Sequence, residues 1–65
     1  MQTELLIKEI EASGMNVEKF ANELGISEST VYRKLKSGKF LVREAEKAAK
    51  ILKLNQELAH RIFFT

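Results

Sequence analysis

Apolar residues recur along the chain at intervals of three and four, in five blocks separated by short polar or glycine-containing breaks. In the first block Leu6, Ile7 and Ile10 share one face, and Gly14 ends the pattern. Proline is absent and the β-branched residues are scattered, which favours helices throughout. We therefore predict an all-α fold of five helices, of which the first runs over about 3–13, the third over about 28–36, and the fourth begins near 41–43. The predicted N-caps of the second, third and fifth helices are Asn16, Ser27 and Asn55.

Residues 16–35 carry the markers of a helix-turn-helix formed by the second and third helices. Ala21 is small enough for two helices to cross almost in contact, and Gly25 can take the positive φ that a tight turn requires. Val31 and Leu35 turn one face of the third helix inward. The opposite face is then free to enter a DNA major groove.

The formal net charge of +2 conceals a strong asymmetry along the chain. Residues 1–28 hold two lysines against six glutamates, a net charge of −4, whereas residues 29–65 hold nine basic residues against three glutamates, a net charge of +6. Five basic residues and no acidic one lie between Ser29 and Arg43. This basic stretch covers the third helix and the loop after it, so charge and motif indicate the same DNA-binding surface.

On a helical wheel, Ser29, Tyr32, Arg33 and Lys36 share an arc of about 100°, opposite the two inward residues. Arg33 suits a bidentate contact with guanine, and lysines suit phosphates. Glu28 either accepts from cytosine N4 or only complements the helix dipole. The candidate base contacts are Glu28, Ser29, Tyr32 and Arg33, and the candidate backbone contacts are Asn16, Lys36, Ser37 and Lys39.

Several of these residues have plainer interpretations. Tyr32 contacts DNA or packs on a neighbouring side chain. Lys34 is expected to be solvated surface, and a solvated face of the fourth helix is favoured over a second nucleic-acid patch for Lys47, Lys50 and Lys53.

The composition argues against catalysis and metal binding. There is no cysteine or aspartate, and His60 is the single histidine. The residues required for a disulfide, a thiolate zinc site or a Ser-His-Asp triad are therefore missing. We expect no enzyme activity, no metal, no cofactor and no small-molecule ligand. No apolar run approaches the length of a membrane span, and the first residues do not form a signal peptide, so we expect no membrane association and a cytoplasmic protein.

The segments GISESTVYRKLKSGKF and EAEKAAKILKL and the terminal IFF resemble lambda-repressor-like, Cro-type helix-turn-helix regulators, in particular short Cro-like regulators of phages of Gram-positive bacteria. The resemblance implies a single five-helix domain over residues 1–65 that binds operator DNA through its third helix as a homodimer, as a repressor in a bacterial host cell. It places the base contacts on the same four residues and adds Arg43 to the backbone contacts. Two positions depart from the family pattern. Lys34 stands where an apolar residue is common, and Leu41 replaces the residue that usually caps the fourth helix.

The final helix is unusually apolar for so small a domain. Its residues suit a homodimer interface, but they equally suit an alternative function as a protein-interaction module, such as an antirepressor or antitoxin. The candidate dimer or partner surface consists of Leu58, Ile62, Phe63 and Phe64.

Overall fold

The computed structural model describes all residues from 1 to 65 and contains five α-helices and no strand. The predicted all-α fold with a helix-turn-helix is confirmed. None of the helices is long and apolar enough to cross a lipid bilayer. The helices are α1 (Thr3–Ala12), α2 (Val17–Leu24), α3 (Glu28–Ser37), α4 (Val42–Ile51) and α5 (Gln56–Phe63).

Three helices begin at side-chain caps that the sequence predicts. Asn16 Oδ1 accepts from the Lys19 N–H at 2.8 Å at the start of α2. Ser27 at α3 and Asn55 at α5 cap in the same way. Each cap satisfies a backbone N–H that has no partner within its helix, which fixes where the helix starts.

Helix α4 begins without such a cap. The Leu41 side chain has no acceptor, but its backbone N–H donates to Glu44 Oε1 at 2.8 Å. This is the reciprocal half of a capping box, and it is enough to define the start of α4 at Val42.

Residues with a left-handed backbone conformation, that is with positive φ, close the carboxyl ends of α2 and α4. Gly25 has φ 81°, and the next N–H, that of Ile26, donates to Ala21 O at 3.1 Å. After α4 the same closure is made by a non-glycine residue, Lys53, at φ 56°. The turn after α2 sets the angle at which α3 leaves, so Gly25 shapes the helix-turn-helix directly.

The core is one cluster to which all five helices contribute. Its largest fully buried side chains include Phe20 from α2 and Val31 from α3. Small residues from α4, Ala45 and Ala48, are also buried where α4 approaches α2. Two further apolar residues of α4, Ala49 and Ile51, are half-buried: Ala49 lines a groove between α4 and α5, and Ile51 packs against the core cluster.

The expectation that Ile62 lies on a dimer or partner surface is wrong. Ile62 is 0% exposed and belongs to the core. It is drawn inward because α5 packs on α1, where the Gln2 N–H donates to Ile62 O at 2.7 Å. That side chain therefore stabilises the fold of a single copy.

The other apolar residues of α5 differ in exposure. Leu58 is half-buried against the core, and Phe63 makes an edge-to-face contact with Phe40, with ring centroids 5.8 Å apart. Phe64 remains 53% exposed. Of the four residues expected to form a partner surface, only Phe64 is largely free.

Candidate nucleic-acid interface

Helix α3 has one buried face and one basic, exposed face. Val31 and Leu35 are buried in the core at 0% and 7% exposure, which fixes the rotation of the helix. Ser29, Arg33 and Lys36 are exposed on the other side. The predicted phase of the helix is therefore observed, and these three side chains form the outer face of α3.

Four basic side chains on and after α3 are free of acidic partners. The ion pairs of the structure are Lys19–Glu23, Lys34–Glu44 and Arg61–Glu57. An unpaired exposed cation can exchange its counterions for a phosphate without first breaking a contact in the protein. The four are Arg33, Lys36, Lys39 and Arg43, all of them exposed.

The first turn of α3 presents short polar side chains. Ser29 is exposed, and its Oγ lies 3.2 Å from the Oγ of the capping Ser27. Glu28 is exposed and forms no ion pair. Its carboxylate stands at the positive end of the α3 dipole, a favourable place that does not require a base partner.

Tyr32 lies at the junction of α3 with the segment between α1 and α2. It is 54% exposed and lines a shallow hollow with Ile7, Met15 and Val17. Both interpretations of Tyr32 thus have a structural basis, since part of the side chain packs on neighbours and the rest is open to a ligand.

Two of the candidate backbone contacts already make bonds within the protein. Asn16 Oδ1 is used for capping α2, which leaves its amide N–H groups available as donors. The Ser37 hydroxyl donates to Lys34 O at 3.3 Å while the residue remains exposed. Both lie at helix ends, Asn16 at the start of α2 and Ser37 at the end of α3.

The expectation that Lys34 is solvated surface is wrong. Its Nζ lies 3.0 Å from Glu44 Oε1, and the two side chains are only 17% and 15% exposed. On the helical wheel Lys34 lies only about 60° from the buried Val31, at the border of the buried face of α3. This position could have indicated that the Lys34 side chain is partly buried. The pair joins α3 to α4 and removes one charge from the basic stretch.

The environment of Glu44 favours its ionised form. Burial by itself raises the pKa of this carboxyl group. The hydrogen bond from the Leu41 N–H, the hydrogen bond and charge of Lys34, and the charge of Arg43 outweigh burial, so the pKa lies below its ordinary value of 4.5. Glu44 therefore stabilises the fold fully only above pH 4.5, and this contribution is lost as the pH falls through its pKa in the folded state.

Glu44→Gln keeps an acceptor for the Leu41 N–H but removes the charge opposite Lys34. At pH 7 we expect the free energy of unfolding to fall by about 1–2 kcal/mol, because Lys34 loses a charged partner in a half-buried position. Urea unfolding at several pH values should show the difference from wild type shrinking below pH 4.5. The exposed pair offers a control, since Glu57→Gln should change stability by less than about 0.5 kcal/mol. A Glu44→Gln deficit that is the same at pH 3 and pH 7 would contradict the role of the charge.

Lys47 is exposed, as expected for the solvated face of α4, but it also makes a contact within the protein. Its Nζ donates to Leu24 O at 3.3 Å, a carbonyl at the carboxyl end of α2. A cation at this end complements the helix dipole. Together with the Lys34–Glu44 pair, this contact ties α4 to both helices of the helix-turn-helix.

Residues 1–37, which comprise α1, α2 and α3, match the family described as bacterial regulatory protein, Fis family. The match spans more than half of the chain, so the chain belongs to this family. It is a DNA-binding regulator whose helix-turn-helix is formed by α2 and α3. Comparison with the curated proteins and with the solved structures gave no significant match.

Proposed function

We propose that residues 1–65 act as one domain that binds double-stranded operator DNA in a sequence-specific manner and so regulates transcription. Helix α3 lies in the major groove. The observation that carries this proposal is the outer face of α3. Ser29, Arg33 and Lys36 are exposed there, and neither Arg33 nor Lys36 forms an ion pair, while Val31 and Leu35 anchor the opposite face. Such a face combines base-reading and phosphate-binding chemistry on one rigid helix.

The exposed residues divide by chemistry into two roles. The guanidinium of Arg33 has the fork geometry that recognises guanine O6 and N7, and Glu28, Ser29 and Tyr32 flank it as further base contacts. The remaining residues position the protein on the phosphates. These backbone contacts are Asn16, Lys36, Ser37, Lys39 and Arg43.

Binding as a homodimer fits the size of this surface. One α3 helix reads only a few base pairs, whereas two helices about 34 Å apart read both halves of a pseudo-palindromic site. The segments that resemble Cro-like phage regulators support a repressor of that kind, in which the occupied operator blocks transcription.

A protein-interaction module of the antirepressor or antitoxin kind is the weaker alternative. It drew support from four apolar residues on the last helix. With Ile62 buried and Phe63 packed on Phe40, Phe64, which directly follows α5, is the one large exposed apolar side chain at this end of the chain.

The salt dependence of DNA binding tests the proposal directly. Each copy offers three free lysines or arginines to phosphates, Lys36, Lys39 and Arg43, so a dimer neutralises about six phosphates. The logarithm of the association constant should then fall with the logarithm of salt concentration at a slope near −5. Fluorescence anisotropy of a labelled duplex between about 50 and 300 mM salt measures that slope.

Removal of one phosphate contact should change the slope by a defined amount. Lys39→Ala deletes two contacts per dimer, so we expect a slope less steep by about 2. Arg61→Ala, at an exposed residue of α5 paired with Glu57, serves as the control and should leave the slope unchanged. A flat salt response of the wild type would contradict DNA binding through this face.

A further inference from the structure

The start of α4 exposes apolar residues that the DNA interface does not use. Leu41 is 51% exposed and Val42 is 63% exposed. Together with Arg43 and Glu46 they line a shallow hollow. Glu46 also lines a second, more apolar groove between α4 and α5, so the two depressions form one continuous surface.

The α4–α5 groove has a volume of about 500 Å³ and is bordered by small side chains, Ala45, Ala49 and Ala59. Phe64, 53% exposed, stands among its lining residues. Small residues leave room for a bulky apolar group, and an exposed phenylalanine is such a group. A chain that carries both on one surface is self-complementary, which is the requirement for a two-fold symmetric contact.

The charges on this surface are also self-complementary. Glu46 and Lys50 both line the groove, one helical turn apart on α4, and neither forms an ion pair within the chain. If two copies pack their α4 helices antiparallel about a two-fold axis, each Glu46 lies opposite the partner's Lys50. The two attractive pairs form together only in that arrangement.

We propose that this surface, comprising Leu41, Val42, the α4–α5 groove and Phe64, is the site where a second copy of the chain docks; we call it the α4–α5 face. The inference rests on the proposed function, because it names the surface through which the homodimer forms. The α4–α5 face does not include the outer face of α3, and the two surfaces meet at Arg43, which lines the hollow and is one of the proposed phosphate contacts. Docking on the α4–α5 face replaces the earlier expectation of an interface on α5 alone.

The α4–α5 face implies a weak dimer. A standard interface buries roughly 800 Å² on each partner, about a fifth of the 4475 Å² accessible surface of this chain. One groove with a few exposed apolar side chains offers less than that. We therefore expect a dissociation constant between about 10 μM and 1 mM for the free protein, and tighter association when both copies are held on adjacent half-sites of DNA.

Charge reversal tests the pairing of Glu46 with the partner's Lys50. Glu46→Lys and Lys50→Glu each turn two attractive pairs per dimer into repulsive ones, so each should raise the dissociation constant of the dimer about tenfold or more. An equimolar mixture of the two variants restores both attractive pairs across a heterodimer and should associate like the wild type. Sedimentation equilibrium between about 10 μM and 1 mM measures all three.

Glu4→Lys is the matched control, because it makes the same charge change at an exposed residue of α1 and should leave association unchanged. A wild type that stays monomeric at every concentration, or a mixture that does not recover association, would overturn the α4–α5 face as the docking site. Binding of each variant to a duplex with a single half-site is measured in parallel. Charge-reversal variants that no longer dimerise but keep their affinity for the half-site support the inference. A wild type that dimerises but does not bind any duplex overturns the proposed function and leaves the docking site unaffected.

Discussion

Arg33→Ala should weaken binding to the operator by roughly 1–3 kcal/mol for each copy that reads a half-site. A loss of this size corresponds to about 5- to 150-fold in affinity per half-site. The cause is the loss of a bidentate contact with guanine that no neighbouring residue can replace. Anisotropy titrations against the operator and against a scrambled duplex of equal length measure the loss of discrimination.

Two controls separate recognition from charge and from folding. Arg33→Lys keeps the positive charge but lacks the planar fork, so it should lose discrimination between the two duplexes while retaining the salt slope of the wild type. The thermal midpoint of Arg33→Ala should stay close to that of the wild type, because Arg33 is exposed and makes no ion pair. A stability loss above about 1 kcal/mol would show that Arg33 packs against the fold and that the phase assigned to α3 is wrong.

Ala21→Leu should disrupt the helix-turn-helix from within. Ala21 is 2% exposed, and its carbonyl accepts from the N–H groups of both Gly25 and Ile26, which places it against the turn between the two helices. Because the side chain is buried, we expect three added carbon atoms to displace their neighbours, and overpacking of this kind costs about 1–3 kcal/mol. For a domain of this length, with an expected total stability of roughly 3–10 kcal/mol, the loss is severe.

The same substitution should also impair DNA binding, since α3 must shift to accommodate the larger side chain. Urea unfolding monitored by circular dichroism gives the stability, and titration of the operator gives the affinity. Ala12→Leu adds the same atoms at an exposed position of α1 and should change stability by less than about 0.5 kcal/mol. Equal stability of Ala21→Leu and wild type would contradict close packing of α2 on α3.

The features that the sequence predicted correctly are local ones. The caps at Asn16, Ser27 and Asn55 act on an N–H three residues ahead, so the residues that define each helix start lie within one turn. The rotation of α3 also follows from a short segment, because Val31 and Leu35 are one turn apart and both apolar. Local patterns therefore placed the candidate base contacts on the exposed face.

The features that it missed depend on which helices meet. The wheel position of Lys34 beside Val31 indicates partial burial, but no pattern within α3 indicates that α4 brings Glu44 to within 3.0 Å of it. Ile62 is buried because α5 returns to the first residues of the chain, 60 positions away. The exposure of Leu41 and Val42 could likewise not be predicted from the helical pattern, because it depends on where α4 leaves the core.

Selection of bound duplexes from a random DNA pool at about 150 mM salt, with Arg33→Ala in parallel, tests whether α3 recognises a DNA sequence. We expect the wild type to enrich an inverted repeat, and we expect Arg33→Ala to lose the preference for its guanine positions. This result would identify the operator and show that α3 reads it as a dimer. No enrichment, or an enriched sequence that Arg33→Ala selects equally well, would contradict recognition of DNA by this face of α3.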